Sequence, residues 1–331
     1  MHMKPLIAVV GAGGTFAMQG RHPFDWVEYG DSGIVHPIGD VLRDMGELGL
    51  AVDLVQVPFR AIGSTGILPS DWVELGALIR RVVAEHPRLA GIVVTHGTAT
   101  LEETAWFLHL TMPPGVALAV TGAQRPPNTA GSDAAANLRA AISVVADPRA
   151  PRLGALVVMD NTVLSARDAT KTSSFTLDAF TASDGGPLGR VLADGTLRLW
   201  HQPIGPFGMF DAADTRDLPR VDITLSYAGA DGAAIDAFVA AGARGIVSAG
   251  LLPGRPANAE HAALVAAARA GVLVVQATRG LRGMVPVQPH NVANGILAGA
   301  DLVPQKLRIL LMLALRDGMA SDAIQALILR V

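Results

Sequence analysis

The sequence predicts an α/β protein: a doubly wound, largely parallel sheet in an N-terminal domain, then a smaller α/β C-terminal domain. Three observations carry this. Short apolar runs alternate with stretches of helical spacing through the first half of the chain, which is the βαβ rhythm of a parallel sheet. The alternation breaks between Leu192 and Phe210 and restarts after Pro219. The length of 331 residues suits two domains at ~150 residues each. The predicted units are 1–204 and 220–331, joined by a linker at 205–219.

Leu6 to Val10 reads as the first strand, ended by Gly11-Ala12-Gly13-Gly14. Val52 to Val57 is the second, followed by an irregular stretch to Pro69. Trp72 to Glu85 has helical spacing. Leu89 to Val94 is a buried strand and Leu101 to Leu110 a helix. Val116 to Thr121 is a strand, Asp133 to Ala146 a helix, and Leu153 to Met159 a strand. From Leu192 to Phe210, segments broken by Gly and Pro read as a β-hairpin region and then the linker. Beyond it, Val221 to Leu225, Gly245 to Ser248 and Gly271 to Gln276 read as strands. Ile235 to Ala241, Ala259 to Ala270 and Pro304 to Leu315 read as helices. The apolar stretch Ile309 to Leu315 suits either a core or an interface.

Composition excludes several classes. Half the chain is hydrophobic and the net charge is −3, with no basic stripe for nucleic acid. No apolar run approaches the ~18 residues that cross a bilayer. With no cysteine, disulfides, thiolate metal sites and cysteine nucleophiles fall away. Met1-His2-Met3-Lys4-Pro5 carries no signal-peptide pattern, which points to the cytoplasm; the periplasm stays open if a leader was removed. Only Lys4, Lys171 and Lys306 are lysines. An internal lysine stands out because its ammonium can lose a proton, whereas the guanidinium of arginine cannot.

Four stretches at strand ends carry candidate chemistry. Gly11-Ala12-Gly13-Gly14-Thr15 follows the first strand. A dinucleotide fingerprint needs a glycine where Phe16 stands and an acid after the second strand, so a nicotinamide-dependent dehydrogenase is disfavoured. The glycines fit close backbone approach to a small ligand with Thr15 facing it, or a tight turn with an incidental threonine. The second stretch is VTHGTATLEET at 94 to 104. Thr95, Thr98 and Thr100 sit where a strand hands over to a helix, the edge where ligands bind in open α/β sheets. Thr98 or Thr100 equally suits a helix cap, with Glu102 or Glu103 in the first turn. His96 reads as a hydrogen-bonded structural histidine. The third stretch, Thr121-Gly122-Ala123-Gln124-Arg125-Pro126, offers backbone N–H groups for an oxyanion, or a plain loop. In the fourth, Lys171 can lower a hydroxyl's pKa or take its proton if desolvated, or it is a surface lysine paired with Asp168. No Ser-His-Asp order and no HExxH helix is visible.

Together, GGTFA at 13 to 17, VVTHGTATLEETAWFL at 93 to 108, TGAQRP at 121 to 126, LVVMDNTVLSARDATKT at 156 to 172 and VPQKLRILLMLAL at 303 to 315 resemble the bacterial L-asparaginase/glutaminase family. The resemblance runs through the whole chain in order. It implies an asparaginase-like amidohydrolase without metal or organic cofactor, acting on a small-molecule amide. It also implies a homotetramer, a dimer of dimers, with each site closed by a neighbour's C-terminal domain. By this resemblance Thr15 is the nucleophile that forms an acyl-enzyme, beside Gly14. Tyr29, on a flap after the first strand, assists it. Thr98, beside Gly97, is the second threonine and Lys171 its partner. Ser64, with Thr65, holds a substrate carboxylate. The Ala123 carbonyl meets the departing amide.

The chain also departs from the family. Where the family writes an aspartate after HGT, gripping the substrate's α-ammonium and touching the lysine, this chain has Ala99. The family's glutamine after the serine is Thr65, and the acid soon after is Gly66. Ser248-Ala249-Gly250-Leu251-Leu252-Pro253-Gly254 lacks the family's asparagine, and Gln288 stands where a glutamate is expected. Losing such a carboxylate costs about 2–5 kcal/mol, roughly 30- to 5,000-fold. The expectation is a substrate without the α-ammonium, and a Lys171 that has lost its nearest anion. Two readings compete. One is a conventional asparaginase that draws its ammonium contacts from Glu28 or Asp31. The other is a non-catalytic small-ligand binding protein on the same fold.

Overall fold

Ile7, Ala8, Val9 and Val10 are each fully buried, so the strand that carries them is covered on both faces. In the computed structural model, which describes residues 3–112, 115–203, 205–211 and 216–331, that strand is β1 (Leu6–Gly13). It is followed by α1 (Ile38–Met45), β2 (Asp53–Ile62), α2 (Pro69–Glu85), β3 (Leu89–Thr95), α3 (Leu101–Thr111), β4 (Ala117–Thr121), α4 (Ala134–Val145) and β5 (Ala155–Met159). Five short strands complete the first unit: β6 (Thr162–Ser165), β7 (Ala169–Lys171), β8 (Phe180–Ala182), β9 (Gly189–Val191) and β10 (Leu197–Leu199). By its internal contacts the chain divides into Met1–Thr215 and Arg216–Val331.

The large sheet runs β10-β9-β6-β5-β4-β3-β1-β2. Its β2-β1-β3-β4-β5 part is parallel, and β6, β9 and β10 extend it antiparallel. Ile7 and Val9 join Val93, Ala119, Leu138 and Ile142 in one core cluster under α1 and α4. The order reverses between β1 and β3, the switch point at which open α/β sheets bind ligands. β7 and β8 form a separate antiparallel ribbon that ends at Lys171.

The second unit is a four-stranded parallel sheet in chain order. It comprises β11 (Val221–Leu225), α5 (Ala233–Ala240), β12 (Gly245–Gly250), α6 (Asn258–Arg269), β13 (Leu273–Thr278), α7 (Pro289–Ala293), β14 (Ile296–Ala298), α8 (Pro304–Arg316) and α9 (Ser321–Ile328). Ile235, Ile246, Leu264, Val274 and Ile296 form its core. Residues Ile309 to Ala314 of α8 are buried, so that apolar stretch is core within its own unit.

Three local readings differ from the structure. The stretch after Val57 is not irregular: β2 continues to Ile62. Pro58 is tolerated there because β2 is an edge strand, with no second neighbour to receive an N–H. The predicted hairpin lies at the start of its window and before it, as β9 and β10. Residues 204 and 212–215 of the hairpin and linker readings lie outside the described residues. α1 goes unread because it buries only Ile38, Val41 and Leu42.

Glycines at the strand ends let the switch point close. Gly14 has φ +70, and a Cβ on it would stand 2.1 Å from the Gly97 Cα. A Cβ on Gly97 would stand 2.5 Å from the Ser64 Cα. Gly97→Ala is therefore expected to cost about 1–3 kcal/mol in chemical denaturation and to reduce turnover further by moving Thr98. Gly30→Ala, whose added Cβ meets nothing within 4 Å, is expected to change neither.

Candidate active site

The ends of β1 and β3 carry the first two candidate hydroxyls. Gly14 donates its N–H to the Ile62 carbonyl at 2.8 Å, which ties the β1 turn to the end of β2. The next residue, Thr15, is buried, and its Oγ1 lies 2.7 Å from the Tyr29 hydroxyl. Tyr29 sits in a short 3-10 turn, Glu28–Ser32. Asp25 knots the approach to that turn. Its carboxylate accepts the backbone N–H of Arg21 at 3.0 Å and of Glu28 at 2.9 Å, and the Arg21 N–H foremost holds this carboxyl below its usual range. Asn128 clamps the stem by exchanging two 2.8 Å bonds with the Gly20 backbone, and Arg125 covers the Trp26 ring at 4.0 Å. The flap is thus fixed at its base, with its tyrosine against Thr15.

The three threonines after β3 divide their work. Thr95 turns back to the Val10 carbonyl at 3.5 Å. Thr98 accepts a hydrogen bond from Lys171 Nζ at 2.7 Å. Thr100 occupies the N-cap position of α3 without capping it; its hydroxyl donates instead to the Ser64 carbonyl at 3.0 Å. Ser64 Oγ accepts the Ala99 N–H at 2.8 Å, which leaves the serine's own proton available to a ligand. Ala99 is exposed, as is Thr65 beside Ser64.

Lys171 is half-buried, and desolvation pushes its ammonium below the usual lysine range, opposed by the charges of Glu102 and Asp133. The expectation that Lys171 lacks a nearby anion is therefore corrected. Glu102 is buried in the first turn of α3 and accepts the Lys171 backbone N–H at 2.5 Å. Asp168, the partner offered by the surface-lysine reading, pairs with Arg167 at 2.7 Å. Of the two flap carboxylates, Glu28 lies exposed 3.3 Å from Arg21, and Asp31 is exposed in the same turn.

His96 is buried and uncharged. Its Nδ1 stands 2.9 Å from the Gly97 carbonyl. A carbonyl only accepts, so Nδ1 carries the proton. Nε2 then accepts from the Thr104 hydroxyl at 2.9 Å, and Thr104 Oγ1 accepts from Trp72 Nε1 at 2.9 Å. Burial lowers the His96 pKa to about 4. The ring thus sets the peptide between the contact glycine and Thr98.

The turn after β4 is held from below. Asp133 accepts the N–H groups of Gln124 at 3.0 Å and Arg125 at 3.1 Å. Asn137 donates to Asp133 at 2.8 Å and to the Gly122 carbonyl at 3.0 Å. Ala123 lies between these ties, fully buried. A Cβ on Gly122 would stand 3.0 Å from Thr98 Cγ2, so this turn packs on the Thr98 loop.

Two hydroxyl pairs, Thr15–Tyr29 and Thr98–Lys171, thus stand on loops that touch through Gly14 and Gly97. Thr15 is bonded to the tyrosine and Thr98 to the lysine. Sequence reasoning missed Asp25, Asp133 and Asn137, whose partners are mostly backbone groups, and noted Glu102 only as a first-turn acid. No spacing marks Glu102 against Glu103. Among the described residues no cluster of three His, Cys, Asp or Glu is placed to hold a metal ion, and no helix is long and apolar enough to cross a membrane.

The chain matches the family models described as Asparaginase, N-terminal, over residues 6–204 and Glutaminase/Asparaginase C-terminal domain over residues 220–328. It is 33% identical over 326 residues to L-asparaginase 2 of Bacillus subtilis (strain 168), covering 97% of this chain and 85% of that protein. It is 34% identical over 269 residues to L-asparaginase 2 of Escherichia coli (strain K12), covering 80% of this chain and 76% of that protein. The crystal structure of a probable cytoplasmic L-asparaginase from Campylobacter jejuni superposes with a TM-score of 0.93 at 32% identity, over 99% of this chain and 100% of that one.

The depressed His96 pKa makes the fold acid-sensitive. The unfolded histidine takes its proton near pH 6.5 and the folded one only near about 4, so stability falls as pH drops through that window. The loss is expected to reach about 3 kcal/mol at pH 4. Chemical denaturation at pH 7 and pH 4 checks this: the wild type is expected to lose that amount more than His96→Gln, which has no proton to take up.

Proposed function

Since the chain belongs to the asparaginase family, we propose that it is an amidohydrolase that uses Thr15 as nucleophile on a substrate lacking the α-ammonium group. Hydrolysis of an amide C–N bond is the family's reaction, and the chain is a hydrolase of this class. The observation that carries the finer reading is the surroundings of Ala99. Both hydroxyl pairs are in place, while the exposed position between Thr98 and Thr100 offers a methyl group and no charge.

In this reading Thr15 Oγ1 attacks the amide carbonyl carbon as it gives its proton to the Tyr29 oxygen and the Tyr29 hydroxyl passes its own proton on to the departing nitrogen, because a threonine hydroxyl is weak at its free pKa. The oxyanion is met by a backbone N–H, that of Thr98 being the candidate. The C–N bond breaks, the nitrogen takes a proton and leaves as ammonia past the Ala123 carbonyl. Water then attacks the Thr15 ester, the C–O bond breaks, the acid departs and the threonine regains its proton. Thr98, polarised by Lys171, serves the substrate and the water from the opposite loop. Ser64, its proton free, holds a carboxylate of the acyl group, with Thr65 beside it. Gly14 and Gly97 give the substrate access to the backbone.

A cationic nitrogen beside Ala99 meets a methyl group where the family has a carboxylate, on the loop whose Thr98 is bonded to the Lys171 ammonium. The conventional reading, L-asparagine as substrate, rests on the names of the relatives. We further propose a cytoplasmic homotetramer, a dimer of dimers; size-exclusion chromatography with light scattering tests the assembly.

Ammonia release from L-asparagine, L-glutamine, succinamate and glutaramate tests the substrate, with Thr15→Ala as blank. The expected kcat/KM for the better des-amino amide exceeds that for L-asparagine by at least roughly tenfold, given the usual worth of such a charge. Thr15→Ala is expected to lower turnover roughly a thousand-fold or more. Ala99→Asp is expected to move the preference back toward L-asparagine. A wild-type preference for L-asparagine contradicts the substrate reading.

A further inference from the structure

The charge missing at position 99 has a counterpart one helical turn further on. Glu102 lies in the first turn of α3, where the helix dipole favours an anion. It is 6% exposed, and a carboxylate so buried needs charged or N–H partners. One is the Lys171 main-chain N–H at 2.5 Å. The same lysine gives its Nζ–H to Thr98 at 2.7 Å. Carboxylate, lysine and threonine therefore come from α3, β7 and the loop between β3 and α3, three segments that no local sequence joins.

We propose that Glu102 is the positioning residue of the Lys171–Thr98 pair: its carboxylate fixes the lysine through the main chain and balances the ammonium, a task for which Ala99 has no charge. The inference rests on the reading of Thr98 and Lys171 as parts of the catalytic site. Its consequence is chemical. With Glu102 in place Lys171 remains a donor, so the Thr98 oxygen accepts from it and the Thr98 proton is directed to the substrate or water.

The other charges around the lysine differ in kind. Asp133, before α4, also acts on it, but its oxygens hold the Gln124 and Arg125 backbone and Asn137. On the lysine's own segment Arg167 and Asp168 pair with each other, and His96 is uncharged. Glu102 is the carboxylate that can be altered without opening the Gly122 turn.

The test is Glu102→Gln, which keeps an oxygen for the Lys171 N–H and removes the charge. The Lys171 titration is followed by NMR of protein carrying 13C-labelled lysine; only three lysines contribute signals. The expected result is a Lys171 titration moved downward and kcat on the best amide reduced roughly tenfold to a hundredfold, with KM within about twofold. Ala99→Asp added to Glu102→Gln is expected to return both toward wild type, by restoring the charge from the other side. Glu102→Asp, which keeps the charge, is expected to keep the titration even where packing suffers. An unmoved Lys171 titration in Glu102→Gln overturns the proposal, as does a double variant that recovers neither readout. The NMR titration needs no turnover, so a fully active Thr15→Ala would sink the nucleophile reading while leaving this one to be judged separately.

Discussion

A Cβ on Gly14 would stand 2.1 Å from the Gly97 Cα, and this backbone contact at the β1–β3 switch point sets the distance between the two threonine loops. Each glycine is one residue before a threonine. Closing the loops on each other therefore brings the segments that carry Thr15 and Thr98 side by side. Ser64 is pressed against Gly97 from the end of β2, and the Gly122 turn packs on Thr98 from β4. Four strand ends thus converge on one point, and side-chain bonds refine what backbone packing has placed.

Charge at this point is turned inward. Asp25 holds the flap turn, Asp133 the turn after β4, and Glu102 the lysine, each through backbone N–H groups. These carboxylates position the machinery. Ala99, exposed beside Thr98, brings a methyl group and no charge, and the proposed substrate, an acyl group without a cation, asks for none there. His96 adds to the same economy of charge: uncharged and bonded on both nitrogens, it orients the loop without altering the site's field near neutral pH.

The parts of the fold that were legible in the sequence are those buried on both faces. β1, β3 and β4 read as unbroken apolar runs because helices cover them above and below. The extension of β2 beyond Pro58 was not legible, since an edge strand with alternating exposure and a proline carries no such run. The candidate site was legible where chemistry coincides with punctuation, as in glycines and threonines at strand ends, and in Lys171 because lysine is so rare here. Its pairing with Thr98, 73 residues away, depends on the register of the β7–β8 ribbon, which no local pattern encodes. Asp25, Asp133 and Asn137 were hidden for a related reason: their partners are largely backbone groups, which leave no trace in residue identity.

The central claim is that an acyl group without an α-ammonium is passed to Thr15. Rapid-quench mass spectrometry measures this directly, mixing the enzyme in parallel with succinamate and with L-asparagine and analysing the peptide that contains Thr15. The expected result is a succinyl ester on Thr15 that forms within the first turnovers and decays as acid appears, with far less aspartyl ester at equal concentration. An acyl group found on another residue, or an aspartyl ester that forms faster than the succinyl one, would contradict it.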